Sequence, residues 1–347
     1  MMTVKLQREI LTPQMLQYDD FSSRGETQYL PYLMYFNRPD YRSDAINTDR
    51  LGFRISHGAT EQASVGSSIP EGPVRLLVGG SVSLGYGSTS DATTMASRLW
   101  TEHAPSRPWL TYAGHTYNST QELLLFFLYR HLLPPVEEIV IFSGFNTLVM
   151  SRLTDMHRAD QGPFFFCGEF FEQMEEVRSR HRKSSRGFGR RSKPAAPSWP
   201  SPDEVRPELD EAIARAVDLV SRHLDSWQVL AAATGARVSF VLQPLSTWLR
   251  EEPAPQEKLI FDELDKISKL GTWEALYGDI SSVEAGQRYA DALAPACEKR
   301  GVRFVNLNPV LRAVVTDQSW LYVDRAHLTD EGNDIVAALV ADQLGLS

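Results

Sequence analysis

The sequence is poor in cysteine. Its two residues of that type, Cys167 and Cys297, stand alone in 347, too few for a disulfide framework and wrongly spaced for a metal site. Long apolar runs are also missing. No stretch approaches the ~18 uninterrupted apolar residues of a membrane span, and the opening MMTVKLQREILTPQ has no apolar segment of the kind a secretory leader carries. Positive charge is outnumbered, with 35 Lys and Arg against 44 Asp and Glu and a net charge of -9. That balance argues against a general binder of nucleic acid or anionic membranes, while leaving room for a local basic patch. What remains is an ordinary globular composition, 42% hydrophobic and 23% charged, in a chain long enough to bury a substantial core. A reducing, cytoplasmic setting is the simplest fit, with no cofactor and no metal expected.

Regular organisation begins at Val74. VRLLVGGS is a short apolar strand ending in two glycines, which suits a buried parallel strand feeding a tight turn. Ser81 follows at once, and a helical stretch runs from Asp91 to Trp100. Strand, glycines and helix also frame phosphate-binding loops, but no Lys-[Ser/Thr] follows, and Gly85-x-Gly87-x-x-Ser90 lacks the third glycine of a dinucleotide fingerprint. The frame also suits a nucleophilic serine on a sharp turn, although Gly79-Gly80-Ser81-Val82-Ser83 misses the last glycine of the G-x-S-x-G elbow. A serine in such a turn can equally be a plain cap.

A second strand, Trp109 to Ala113, leads into Gly114. Ser119-x-x-Glu122 reads as a capping box opening a helix from Gln121 to Leu133, stopped by Pro134-Pro135. A third strand, Glu138 to Ser143, ends in Gly144-Phe-Asn146. A helix over 207–234, with Leu209, Ile213, Ala216, Val217, Val220, Leu224, Trp227 and Leu230 on one face, precedes a fourth strand, Arg237 to Leu242. A helical region over 256–299 leads to a fifth, Arg303 to Leu307, and a final helix spans Glu331 to Leu344. Five strands alternating with helices predict a doubly wound α/β sheet with right-handed crossovers. In such a sheet ligands bind outside the carboxyl ends of the strands, where Ser81, Gly114 and Asn146 all fall.

Two segments break the rhythm. Residues 1–72 are rich in Tyr, Pro, Asp and Arg without a sustained period, and predict an extended, aromatic-packed arm on the main domain of 73–347. Within it, Asn47 to Gly52 reads as an Asx-type turn. Residues 151–206 predict an insertion, with eight Lys or Arg between 178 and 193; that composition resists folding, and the charge run reads as a solvated loop or as a docking patch for an anionic partner.

Near the C-terminus, Asp324-Arg-Ala-His327 precedes the last helix. At that spacing a carboxylate can reach the imidazole Nδ1–H, fixing its tautomer and stabilising the imidazolium. The order GGS (79–81), Gly114, GFN (144–146) and DxxH (324–327) resembles the four blocks of the SGNH hydrolases, or GDSL esterases and lipases. The resemblance covers about residues 73–347, interrupted by the insertion. It implies a three-layer α/β/α flavodoxin-like fold with a five-stranded parallel sheet. It further implies Ser81 as nucleophile, His327 as general base and Asp324 as its orienting acid. The oxyanion hole would be built from the backbone N–H groups of Ser81 and Gly114 and the amide of Asn146. Gly80 stands where that family usually has Asp, and Thr147 where an Asp often follows the Asn. The expected activity is hydrolysis of an ester, such as an O-acetyl group, on a glycan or small molecule. An acyltransferase drawing on acyl-CoA or an acyl-carrier protein would use the same residues, and a non-catalytic binding module would keep the cleft without the chemistry.

Overall fold

The structure is a computed structural model that describes residues 6–23, 27–30, 32–153 and 206–347. The basic run at 178–193 and most of the expected insertion lie outside the described residues. Five parallel strands form the central sheet: β1 (Val74–Gly79), β2 (Trp109–Ala113), β3 (Val136–Ser143), β4 (Arg237–Leu242) and β5 (Arg303–Asn306). Their spatial order is β2-β1-β3-β4-β5, the flavodoxin-like order.

That order places the helices. The chain moves one way from β1 to β2 and the opposite way from β2 through β5, so right-handed crossovers must run over opposite faces. The β1–β2 connection carries the turns of 95–103. The return connections carry helices Ser119–Tyr129, Leu209–Ala232 and Val283–Glu298, which pack on one another, while Asp330–Leu344 packs against 95–103. Covered on both sides, β1 and β2 are buried along their whole length, which is why they read as unbroken apolar runs. Ile213, Ala216, Val220, Leu224 and Trp227 are buried as the helical period predicts, with Leu209, Val217 and Leu230 partly buried beside them. At roughly 1.5–3 kcal/mol for each large apolar side chain, that stripe outweighs any difference in local propensity.

Some boundaries differ from expectation. The capping box on the third-strand side is Asn118-x-x-Gln121 instead of Ser119-x-x-Glu122: Asn118 Oδ1 accepts from the N–H groups of Thr120 and Gln121, and Gln121 Oε1 accepts from Asn118 N–H. Helix Ser119–Tyr129 therefore starts earlier, and Glu122 points into the core, where Ser143 donates to it. The helical region expected over 256–299 is broken into Pro255–Ile267, Trp273–Tyr277 and Val283–Glu298; Gly271, at φ +120°, turns the chain between the first two. The expected fifth strand stops at Asn306, whose side chain caps a short helix beginning at Leu307.

The arm is less extended than its composition predicts, since Gln7–Leu11 and Met15–Phe21 are helical. Leu33, Tyr35, Phe36 and Phe53 join the main core, and Met15, Tyr18, Phe21, Tyr41, Ala45 and Ile46 form a second cluster with Leu84, Tyr86, Ala113 and Val323. The 47–52 turn is present, organised by Asp49 Oδ1, which accepts from the N–H groups of Leu51 and Phe53. No helix among the described residues is long and apolar enough to cross a membrane.

Candidate active site

The neighbours of β1 are β2 and β3, and the crossovers leaving it and returning past it go to opposite faces. A crevice must therefore open beyond the carboxyl ends of β1 and β3. The residues at those ends are Gly79-Gly80-Ser81 and Ser143-Gly144-Phe145-Asn146.

Ser81 opens a single helical turn, Ser81–Leu84, closed by Gly85 in the left-handed conformation. The two glycines before it serve different purposes. A Cβ at Gly79 would lie 2.2 Å from Ser83 Oγ and 2.3 Å from the Phe142 carbonyl. Ser83 donates to that carbonyl at 2.8 Å, so Ser83 is a structural residue locking the turn to β3. A Cβ at Gly80 would lie 2.8 Å from Asn146 Nδ2 and 3.1 Å from the Tyr117 carbonyl. The missing side chain at position 80 lets the Asn146 amide lie directly over the Ser81 turn.

Asn146 Nδ2 donates to Tyr117 O at 2.9 Å. An amide nitrogen carries two hydrogens, so this bond fixes the plane of the group and leaves the second N–H for another acceptor. The carbonyl that orients it belongs to the Gly114–Tyr117 turn beyond β2, where Thr116 holds a positive φ of 57°. Tyr35 of the arm shares a short hydroxyl hydrogen bond with Thr116, and Tyr117 OH donates to Tyr35 O at 2.7 Å.

Gly114 itself is placed differently. Its N–H donates to Gly79 O at 3.3 Å, continuing the strand pairing, and the ring of Tyr117 covers its Cα, within 2.6 Å of where a Cβ would stand. It does not line the cavity at the site. Its small size is needed for that ring, and its N–H already has an acceptor.

His327 completes a relay with Ser81 and Asp324. Its Nε2 is 2.7 Å from Ser81 Oγ, and its Nδ1 is 2.7 Å from Asp324 Oδ2. Asp324 Oδ1 accepts from the backbone N–H groups of Ala326 and His327, each at 2.8 Å. Burial pushes the Asp324 carboxyl upward, but His327 and the two backbone donors outweigh it, and the net direction is down; the group is held as a carboxylate. The turn is clasped by the Tyr322–Leu328 bridge and anchored by buried Glu257, which accepts from the N–H groups of Leu321 and Tyr322 at 2.8 and 3.1 Å. Thr329 caps the following helix, its hydroxyl accepting from Gly332 N–H at 3.0 Å.

A cavity of about 380 Å³ opens over the relay, lined by Ser81, Asn146, Asp324 and His327 together with His115, Thr116, Gln243 and Arg325. Its far wall is apolar, with Leu264, Ile267, Leu276 and an aromatic group in which Phe145 stacks on Trp273 at 5.8 Å and Trp273 meets Tyr277 at 4.6 Å. Arg325 is held by Asp265 at 2.6 Å and lies over the rings of Phe261 and Trp273. Burial, and secondarily the neighbouring His327, push His115 down to about 4, so it is neutral near pH 7 and does not compete with His327 for a proton.

The motifs give no hint of several of these groups. His115, Tyr117, Tyr86, Arg325 and Trp273 stand beside or between the expected blocks, in GHTYN, GYG, DRAH and GTW. His115 and Tyr117 follow a strand-end glycine, while Tyr86, Arg325 and Trp273 carry no such signal in the sequence.

Among the described residues one trio, Glu102, His103 and Asp334, brings three ligand atoms within 4.8 Å of one another. Arg98 already supplies the positive charge there, 2.5 Å from Glu102 and 3.9 Å from Asp334, and the trio lies outside the cavity lining. It does not fit a metal centre.

No family model matches the sequence, and no curated protein matches it. Solved structures with similar folds include an acetyl xylan esterase (12% identity, 78% of this chain and 97% of that one, TM-score 0.39). Others are an SGNH hydrolase from Slackia heliotrinireducens (16%, 79% and 100%, TM-score 0.40) and an extracellular lipase from Streptomyces rimosus (12%, 78% and 98%, TM-score 0.37). At these identities and scores the likeness carries no argument about chemistry, which rests on the geometry above.

Proposed function

We propose that the protein is a serine esterase or deacylase of SGNH type, acting through an acyl-enzyme on Ser81. The observation that carries this reading is the continuous Ser81–His327–Asp324 relay, two contacts of 2.7 Å at the mouth of a cavity. Such contacts give a serine hydroxyl what it lacks by itself, a base within reach held in one tautomer.

In the first half-reaction the Ser81 Oγ–H proton passes to His327 Nε2 as Oγ bonds to the ester carbonyl carbon. The carbonyl π pair moves onto oxygen. The oxyanion is met by the second N–H of Asn146 and by the Ser81 backbone N–H, which opens its helix and so has no intrahelical acceptor. Gly114 N–H joins them only if its bond to Gly79 O is exchanged. As the carbonyl re-forms, the carbon–oxygen bond to the leaving alkoxide breaks, and that oxygen takes the proton from His327. Water then repeats the sequence on the acyl-enzyme, giving its proton to His327, and Ser81 recovers one on release of the acid.

The substrate class that fits is an O-acyl ester, such as an acetate, of a glycan or small molecule. In the cytoplasmic setting expected from the sequence, an acceptor other than water, or a thioester donor such as acyl-CoA or an acyl-carrier protein, would use the same steps. A p-nitrophenyl ester panel with and without acceptor alcohols and amines separates hydrolysis from transfer. The nucleophile itself is tested with a fluorophosphonate, expected to add one adduct at Ser81. Ser81→Ala and His327→Ala should each lower turnover by roughly 10⁴ or more, and the double variant little further. Undiminished labelling of Ser81→Ala, or losses that simply multiply, would refute the relay.

A further inference from the structure

We propose that the N-terminal arm is part of the catalytic apparatus, with Arg54 as the positioning residue that fixes the nucleophile turn. This rests on the reading of Ser81 as nucleophile and extends it to a segment that lines no part of the cavity. The starting point is the brevity of helix Ser81–Leu84. One helical turn has almost no stability of its own, and its last carbonyls have no partner inside it. Here those carbonyls are buried, so something must satisfy them.

Arg54 does so. Its side chain is fully buried, and one terminal nitrogen donates to Leu84 O at 3.0 Å and Gly85 O at 2.7 Å. The other terminal nitrogen donates to Ala45 O at 2.5 Å, and Nε donates to Asp91 Oδ1 at 2.8 Å. Asp91 is itself held by the backbone and side-chain N–H groups of Asn47 at 3.1 and 2.8 Å. A planar fork reaches four acceptors in fixed directions, which a lysine ammonium cannot copy. Tyr18 adds a second support from the arm, its hydroxyl lying 3.1 Å from Gly85 O and 2.9 Å from Ser88 O. Gln14 donates to Gly87 O at 2.8 Å.

The same loop also reaches the base. Tyr86 directly follows Gly85, and its ring lies 4.6 Å from that of His327 and 5.3 Å from that of His115. Its hydroxyl meets Ser22 of the arm at 3.4 Å. A displacement of Gly85 therefore moves the end of the nucleophile turn and the ring packed against His327 together. Since the Ser81–His327 contact depends on both, the arm sets the distance over which the proton is transferred.

The test uses the full-length chain with Arg54→Lys and Tyr18→Phe, scored by fluorophosphonate titration of active sites, the rate of that labelling, kcat per titrated site and KM. Misplacing catalytic groups by about 1 Å costs on the order of 10² in rate. Arg54→Lys should therefore lower both the labelling rate and kcat per titrated site by about 10–100-fold, with KM within about twofold. Tyr18→Phe, which keeps the buried ring, should lower both by a few fold. A purely structural role would reduce the number of titratable sites and the melting temperature while each remaining site turned over normally; that result overturns the proposal. Should Arg54→Lys not fold, Tyr18→Phe decides alone, and wild-type turnover per site in it is equally fatal. Failure of the wild-type protein to label at Ser81 would instead strike the nucleophile assignment.

Discussion

Glu122 lies in the core beside the Ser143–Asn146 turn, with Ser143 Oγ–H donating to its Oε1 at 2.5 Å and no partner for its Oε2 among the described residues. No cation among the described residues pairs with it. Burial pushes its carboxyl up to about 8, while the Ser143 hydrogen bond acts in the opposite direction. Because the folded-state value is raised, the native protein holds a proton that the unfolded chain gives up near 4.5. The associated stability is fully present below pH 4.5 and is lost as pH rises through about 8. Each pH unit across that span removes about 1.4 kcal/mol, so the complete loss approaches about 5 kcal/mol, comparable to the whole stability of many domains. Glu122→Gln keeps the size and an acceptor for Ser143 but cannot ionise. Urea denaturation at pH 5, 7 and 9 should find the two proteins within about 1 kcal/mol at pH 5 and the variant more stable by several kcal/mol at pH 9. Parallel stability curves for both proteins across that range would show that Glu122 does not stay protonated, and the reasoning would fail. Since Ser143 begins the turn that carries Asn146, the same ionisation should also lower kcat on the alkaline side in the wild type and spare the variant.

Two further outcomes follow from the geometry of that turn. Asn146→Ala should lower kcat by about 10²–10³-fold with KM nearly unchanged, because an oxyanion donor acts when charge develops on oxygen; a variant that melts early yet keeps its turnover would remove Asn146 from the mechanism. Gly80→Ala should cost about as much as Asn146→Ala, because its Cβ would stand 2.8 Å from Asn146 Nδ2. Combining it with Asn146→Ala should cost little more, and a double variant whose losses multiply would show that Gly80 acts by another route.

Much of this was legible in the chain because it is local. An apolar run followed by glycine signals a buried strand and its turn within one window, and all five strands lie within a few residues of where the pattern put them. Asp324 and His327 are three apart, so their contact needed only a turn. Ambiguity entered where two local readings were equally good. Asn118-x-x-Gln121 and Ser119-x-x-Glu122 both satisfy a capping pattern, and burial decided between them by sending Glu122 inward to Ser143. Met15–Phe21 is only seven residues long, less than the span over which a helical period can be recognised, so the arm read as extended.

What was illegible is set by pairs far apart in sequence. The family resemblance put Gly114 in the expected donor set, and only the register of β1 on β2 reveals that its N–H is turned to Gly79 O. In the same turn the Tyr117 carbonyl holds the Asn146 amide across 29 residues. Gly80 looked like a defect against the family pattern for the same reason. A side chain there would occupy the space of Asn146, 66 positions away, and no local window contains both. Arg54 is the extreme case: alone in the sequence it is one of 35 basic residues, yet its burial would leave an unpaired charge costing several kcal/mol unless acceptors were built around it. A buried arginine is therefore evidence of a prepared cradle, and the carbonyls of Leu84 and Gly85 make that cradle the far end of the Ser81 turn. The arm and the Ser81 turn specify each other.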